Sequence, residues 1–445
     1  WPQLQLQVRD VSAEYGTSDW ALAALELHVD TRSVLTHRQN FKLWQIDAVT
    51  LSDLRVDDES TTMTFKTLEL RDYSLDAPGH LSATVQYQAD DANPIDIDLD
   101  ATIRYHMDTQ AISLTNVNVI TDDTSGLCNA DIEPNLKAVQ PISATDQDLI
   151  PIDAWQSFNW VGTCDLSRLV LNQQEFNNVA LSFNNAAAKG DLRGEIPAFL
   201  GGSAIIDINI SARRGVVEWE MRPKLTDVDT QALMRWLDQT LDWKGSVMVN
   251  AVFNMVGNSD EALAQSLVAH VDFNGGRGEI NVSEIRKQML ALATLLNQAD
   301  HIEKWPEVWH YQRFVGTWNI KNEAHELNFD LDDLNAKGSG TYRYGTQELD
   351  FLTYLKFQEE PDYSAFDVNP LLQGLPIPIR CTGPIDTPAC GMNQKDVERL
   401  VATALGKQGS TELRDKLDEV IEEKVPEEYK KAAKELLDIL SGDKR

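Results

Sequence analysis

Residues 312–357 read QRFVGTWNIKNEAHELNFDLDDLNAKGSGTYRYGTQELDFLTYLKF, and residues 375–391 read LPIPIRCTGPIDTPACG. In the first stretch Phe314, Gly316, Trp318 and Ile320 recur at every second position. Leu327, Phe329 and Leu331 do the same, and so do Leu334, Ala336, Gly338, Gly340, Tyr342 and Tyr344. The runs break at Asn322, at Asp332-Asp333 and at Gly345. A period of two interrupted by turn residues predicts antiparallel strands joined by tight turns, each strand with one apolar face. What those faces meet decides both fold and function.

The same period continues upstream. Leu4, Leu6 and Val8 alternate, as do Leu25, Leu27 and Val29; Leu43, Gln45, Asp47, Val49 and Leu51 oppose Trp44, Ile46 and Ala48. The clearest run is Ile95, Ile97, Leu99, Ala101, Ile103, Tyr105 and Met107, whose partners are Asp96, Asp98, Asp100, Thr102, Arg104 and His106. One face is greasy and the other solvated. With Leu81, Ala83, Val85, Tyr87 and Ala89 before it, and Asp90 to Pro94 between, it predicts a hairpin. Residues 126–155 read as irregular. Strands are predicted at 157–164, 176–183, 190–196 and 204–212, the last with Ile206, Ile208 and Ile210 to one side and Gly201-Gly202 at the turn before it.

Helix signals are fewer. Asp229 is an N-cap type residue before Leu233, Trp236 and Leu237, with Gly245 ending the unit. Strand signal returns at 247–255, including Val249 and Phe253, and at 267–273. A second helix is predicted from Ser283, with Ile285, Met289, Leu292 and Leu296 on one face. From Asn393, apolar stripes at Val397 to Leu405, Leu413 to Ile421 and Tyr429 to Leu440 predict amphipathic helices that cap the sheet or contact a partner or membrane.

The chain has 445 residues, 42 % of them hydrophobic, and a formal net charge of −31. That balance disfavours binding to nucleic acid, which needs basic patches, and to an anionic membrane surface. Acidity that simply keeps a β-rich protein dissolved is the plainer reading. No run approaches 18 apolar residues, the length that reads as a membrane-spanning helix. The chain opens at Trp1 without a charged-then-apolar leader, so a mature fragment is expected, with any anchor upstream removed. Cys128, Cys164, Cys381 and Cys390 are even in number and form no CxxC; two bridges, Cys381–Cys390 and Cys128–Cys164, in an oxidising compartment are expected, the alternative being four buried thiols.

Catalytic patterns are missing. The eight histidines are scattered, and there is no HExxH, GxSxG or GxxxxGK[ST]. Gly275-Gly276-Arg277-Gly278 reads as a turn. Asp330, Asp332 and Asp333, like Asp57, Asp58 and Glu59, read as solvated strand positions and not as a calcium loop. Trp305, Trp309 and Trp318 read as buried aromatics more readily than as a sugar platform. No enzyme, cofactor or metal is expected.

A set of stretches in order resembles the C-terminal region of AsmA-family proteins, Gram-negative envelope proteins tied to outer-membrane lipid homeostasis. These are Ile196-Pro-Ala-Phe-Leu-Gly-Gly202, Leu225 to Leu237, Trp243-Lys-Gly245, Ser266-Leu267 with Gly276 to Ile280, Phe314 to Phe357, and Leu375-Pro-Ile-Pro-Ile-Arg-Cys-Thr-Gly383 with Pro388. The resemblance covers residues 155–391. Phe199 stands where the family has Tyr, Glu323 where Gly is typical, and Cys381 and Cys390 are additions. The resemblance implies an inner-membrane helix ahead of this chain.

Sequence and resemblance together predict a mainly β protein with a few helices, its long curved antiparallel sheet forming an elongated apolar groove. The alternative is a closed sandwich. The segments expected are 1–155, an N-terminal β-groove; 156–391, the AsmA-like region; and 392–445, a helical tail. Roughly twenty strands at about 4.8 Å would span on the order of 90–100 Å. Expected lining residues are Val85, Tyr87, Ile95, Ile97, Leu99, Ile103, Leu181, Phe183, Ile206, Ile208, Ile210, Val249, Phe253, Phe329, Leu331 and Tyr342. The expected partners are phospholipid or another acyl lipid and the inner membrane; the expected place is a Gram-negative periplasm. A scaffold assisting outer-membrane protein assembly through sheet edges is the second reading. A sugar-processing enzyme would need a paired set of carboxylates that no spacing here supplies.

Overall fold

The computed structural model describes the chain except residues 1–3, 16–17, 41–42, 58–60, 76, 90–92, 138, 140–141, 143–147, 284–285, 287–288, 291–303, 359–372, 386, 394, 398, 401–402 and 404–445. The chain is mainly β, with twenty-four strands among the described residues, and its strands pair antiparallel. It divides into two units: Trp1–Pro223 with Met255–Leu263, and Lys224–Asn254 with Ala264–Arg445.

The first unit is a meander. Strands β1 (Leu4–Tyr15), β2 (Ser18–Val29), β3 (Ile46–Asp57), β4 (Thr61–Tyr73), β5 (Gly79–Ala89), β6 (Ile95–His106), β7 (Ala111–Ile120), β8 (Thr124–Pro134) and β9 (Phe158–Leu171) each pair with the next. The short β10 (Gln174–Phe176) folds back on β9, and β11 (Val179–Ala186) pairs farther along the same strand. Strands β12 (Lys189–Phe199) and β13 (Gly202–Ser211) continue the order.

Several strands depart from the period that the sequence displays. On β3 the inward pair Leu51 and Leu54 is separated by three positions, and on β4 the pair Phe65 and Leu68 likewise. Register shows why. Leu51 lies opposite Leu68 and Leu54 opposite Phe65, while Leu68 and Phe65 lie opposite Ala83 and Val85 on the regular strand β5. Opposite residues share a face, so all six point the same way. The extra residue is absorbed by left-handed backbone at Asp53 (φ 48) and by a bulge at Lys66. Asp10 (φ 53) and Asn116 (φ 52) are also left-handed and lie within β1 and β7. Asp and Asn tolerate that conformation better than other side-chain-bearing residues.

Elements missed by period alone follow from this. The expected irregular stretch 126–155 holds most of β8 and the start of helix α2 (Ile152–Ser157). Strand β4 and helix α1 (Thr31–Thr36), capped by Asp30 through Arg32 N at 2.9 Å, carry no uninterrupted period. The expected strand 176–183 is two strands, split by a turn at Asn178 (φ 57).

In the second unit the end of β14 (Glu218–Asp229) leads into α3 (Thr230–Trp236), and Asp229 caps it by accepting Ala232 N at 2.7 Å. Strand β15 (Trp243–Val256) pairs with β16 (Val268–Asn274), which pairs with β19 (Phe314–Lys321). Then follow β20 (Ala324–Leu331), β21 (Leu334–Arg343), β22 (Glu348–Phe357), β23 (Ile377–Pro384) and β24 (Ala389–Gly391). The start of β15 also pairs with β17 (Gly278–Asn281), and β17 with β18 (Val308–Tyr311). Turns fall where the sequence marks them, with left-handed Asn322 (φ 55) and Asp332 (φ 48). Ser283, Arg286, Met289 and Leu290 are helical, whereas Ile285, Leu292 and Leu296 lie outside the described residues. Asn393 Oδ1 accepts Asp396 N at 2.9 Å, as a helix cap does, and the second and third predicted stripes lie outside the described residues.

Both expected disulfides are present. Cys128–Cys164 joins facing residues of β8 and β9, and Cys381–Cys390 facing residues of β23 and β24, each with Cα atoms 4.0 Å apart. They close loops of different size, with sequence separations of 36 and 9. Replacing Cys128 and Cys164 by Ser is expected to lower stability by about 2–4 kcal/mol in denaturant titration, and replacing Cys381 and Cys390 by about 1 kcal/mol less.

Close strand packing also rests on glycine. A Cβ on Gly340 would overlap the Asp350 backbone oxygen and Phe351 Cα, whereas one on Gly345 meets nothing within 4 Å. Gly340→Ala should therefore destabilise by about 1–3 kcal/mol, and Gly345→Ala by less than about 0.5 kcal/mol. Urea midpoints of the two variants check this.

Candidate functional site: one apolar face in each unit

The registers carry apolar residues across the first unit without interruption. One row runs Leu6, Leu27, Val49, Leu70, Leu81, Ala101 over β1–β6. Another runs Gly79, Ile103, Leu114, Ala130, Gly162, Phe183, Leu192, Ile208 from β5 to β13. Cys128 and Cys164 lie on the same face, between Val117 and Leu181. The opposite face is mainly polar, with Thr84 facing Asp98 at 2.9 Å and Arg193 paired with Asp207 at 2.8 Å, although Ile120, Leu127 and Val161 are exposed on it. The Arg193–Asp207 ion pair is exposed and contributes little to stability.

Part of the apolar face is open to solvent. Leu4, Leu6, Trp20 and Ile95 are 57 %, 55 %, 41 % and 46 % exposed. Single exposed apolar residues are ordinary, but Trp20 and Ile95 lie in one row with Val56, Met63 and Tyr87, of which Met63 is exposed as well. Toward β9–β13 the face is closed at both ends. At one, Phe176 and Phe199 stack at 5.2 Å. At the other, α2 lays Ile152 and Trp155 over Ile210, Ala188 and Val217. A remote clasp holds α2 there: Ile150 N donates to Asn258 Oδ1 at 3.2 Å, and Asn258 Nδ2 donates back to Ile150 O at 3.0 Å.

The second unit repeats the arrangement. Val249, Phe273, Gly316, Phe329, Ala336, Leu355 and Ile377 form one row, and Ala251, Val271, Trp318, Leu327, Gly338, Thr353 and Ile379 the next. Its closed end is aromatic. Trp243 Nε1 donates to Tyr311 Oη at 2.6 Å, and Phe314 packs edge-on against both rings. Burial pushes the Tyr311 phenol above its usual pKa. Asp332 anchors this corner. It is 1 % exposed and accepts Trp309 Nε1 at 3.1 Å, Gln312 N at 2.8 Å and Arg313 N at 2.9 Å. This corrects the solvated reading of Asp332: its left-handed turn geometry swings the carboxylate inward, where three donors satisfy it. Trp305 and Trp309 are buried as expected, but Trp318 is 40 % exposed on the apolar face.

A histidine interrupts that face. His325 lies between Ile320 and Gly340 in register, with Trp318 at 5.7 Å and Tyr342 at 6.3 Å.

Of the expected lining residues, Val85, Tyr87, Ile95, Ile97, Leu99, Ile103, Leu181, Phe183, Ile206, Ile208 and Ile210 fall on the apolar face of the first unit. Val249, Phe253, Phe329, Leu331 and Tyr342 fall on that of the second. Ile210 and Leu331 are buried at closed ends. Sequence reading missed Phe65, Leu68, Leu54 and Leu114, whose signal is a pair of apolar residues three apart beside Asp, Lys or Asn. It also missed His325, which sits at an apolar position of an otherwise regular run.

Among the described residues, no cluster of His, Cys, Asp or Glu is placed to hold a metal, and no helix is long and apolar enough to cross a membrane. No protein-family model matches the chain, and neither a curated protein nor a solved structure does.

Burial holds the His325 imidazole below its ordinary pKa of 6.5. The folded state thus prefers the neutral ring, and the unfolded state binds the extra proton first. The stability from this group is full above 6.5 and is lost as pH falls through the lowered value. His270 runs the other way: Asn319 and then Asp272 raise its pKa, so its contribution is lost as pH rises. His325→Phe is expected to remove this residue's share of the acid-side loss of stability just below pH 6.5 and leave the slope above it unchanged, as read by thermal melts across pH.

Proposed function

We propose that the apolar faces hold the acyl chains of lipid, and that the protein is a periplasmic carrier that holds or transfers phospholipid between inner and outer membranes. The observation that carries this reading is the apolar register that runs from strand to strand across each unit, with large side chains left open to water. Each methylene removed from water is worth about 0.8 kcal/mol, so two acyl chains are costly to expose by roughly 20 kcal/mol or more. A continuous lining offsets that cost at every step and needs no specific pocket. In this reading each face is the floor of an apolar groove, and the acidic polar faces keep it dissolved. The two disulfides fit an oxidising compartment outside the cytoplasm. The resemblance to the AsmA family supports the same reading. A second reading, a scaffold for outer-membrane proteins, would work by strand addition to an edge of the sheet, and the twelve-residue β1, paired with β2, is the strand that would offer one.

Uptake of labelled phospholipid from vesicles tests the first reading. Ile97→Lys and Trp318→Lys place a charge on the face and should each cut uptake several-fold, since an unpaired charge is poorly tolerated in an apolar setting. Asp98→Lys, on the polar side of the same strand as Ile97, should leave uptake unchanged. Equal uptake by all three variants, or none by the unaltered chain, would sink the reading.

A further inference from the structure

Buried polar atoms without a hydrogen-bond partner gather at one end of the first unit's apolar face: Nε1 of Trp155, Nε1 of Trp160 and Oδ1 of Asn185. Asn185 lies opposite Trp160 in the β9–β11 register, and Trp155 meets Trp160 edge-on at 5.1 Å. Trp155 is 8 % and Asn185 2 % exposed. The orientation of the amide is settled by its other half. Asn185 Nδ2 donates to Trp155 O at 2.8 Å and to Phe158 O at 2.7 Å, which uses both hydrogens and leaves Oδ1 as a pure acceptor.

The unsatisfied set is therefore two N–H donors and one C=O acceptor. Buried groups of this kind are costly unless paired. A hydroxyl group matches the set, because its oxygen accepts two hydrogen bonds while its hydrogen donates one. A phosphate or carboxylate anion has no hydrogen for Asn185, and an ester carbonyl leaves Oδ1 unpaired. Apolar surface leads straight to the cluster. Phe183 packs on Trp160 at 5.9 Å, and Phe183, Leu192 and Ile208 continue from Gly162 in one register row on the same face as Trp160 and Asn185.

We propose that this cluster receives the hydroxyl end of a single-chain amphiphile, a long-chain alcohol or a fatty acid in its protonated form, with the chain lying over Phe183, Leu192 and Ile208. The proposal rests on the acyl-lipid reading above and narrows it. At this end of the face a phosphate head is rejected, so a phospholipid would lie with its head elsewhere. The six-residue helix α2 supplies Trp155 to the cluster.

Calorimetric titration of the full chain with decanol, decyl methyl ether and decanoic acid tests it. Decanol should bind about tenfold more tightly than the ether, the worth of one well-made hydrogen bond. Trp160→Phe, which keeps a ring but deletes its N–H, should weaken decanol by several-fold. Trp155→Phe is the second variant should the first misfold by circular dichroism. Decanoic acid that equals decanol at pH 5 but falls away at pH 8 assigns the site to fatty acid, and decanol binding alone assigns it to alcohol. Equal affinity for decanol and ether overturns the proposal, leaves the acyl reading intact and makes an internal water the partner of the three atoms. No binding by any of the three probes takes down both.

Discussion

Register is the constraint from which the rest of this structure follows. A strand slipped by one residue turns its whole apolar set to the opposite face. Here the phase is kept through successive antiparallel pairs in each unit, even where a strand gains a residue. Asp53 and the bulge at Lys66 show how: the extra residue is taken up locally, so Leu54 still faces Phe65 and Phe65 still faces Val85. The glycines serve the same end. Gly162 and Gly338 leave room for the rings of Phe183 and Phe351, so bulky residues on one strand lie flat over a neighbour.

A one-faced sheet needs its ends finished, and both units use aromatic corners with a buried polar anchor. In the first, α2 brings Trp155 against Trp160, and Asn185 ties two carbonyls of the incoming chain. In the second, Trp243, Tyr311 and Phe314 pack together, and Asp332 gathers three N–H groups. The two anchors differ in one respect. The bonds of Asp332 meet its carboxylate, whereas Asn185 keeps an unpaired oxygen. That difference separates a corner built only for packing from one with unspent hydrogen-bonding capacity.

Much of this was legible in the residues, and the illegible parts have physical causes. Strands such as Ile95 to His106 and Phe314 to Lys321 declare themselves because every second side chain is apolar and no bulge intervenes. The pairing of Cys381 with Cys390 was within reach because nine residues leave few other partners. Strand β4 was hidden because Phe65 and Leu68 break the period, and α2 because six residues are too few to display one. Asp332 could not be told from Asp330 by sequence, since both follow apolar residues in the same run. Only the turn conformation sends one inward and leaves the other to pair with Arg313 at 3.4 Å.

Taken alone, the residues determined that the chain is mainly antiparallel β with one apolar side per strand, because alternation is a local property that survives without knowledge of neighbours. Tertiary structure decided which strand lies beside which, where the phase is reset, and which polar groups are drawn inside. Those depend on pairings between residues far apart in the chain, such as Ile150 with Asn258, that no local pattern encodes.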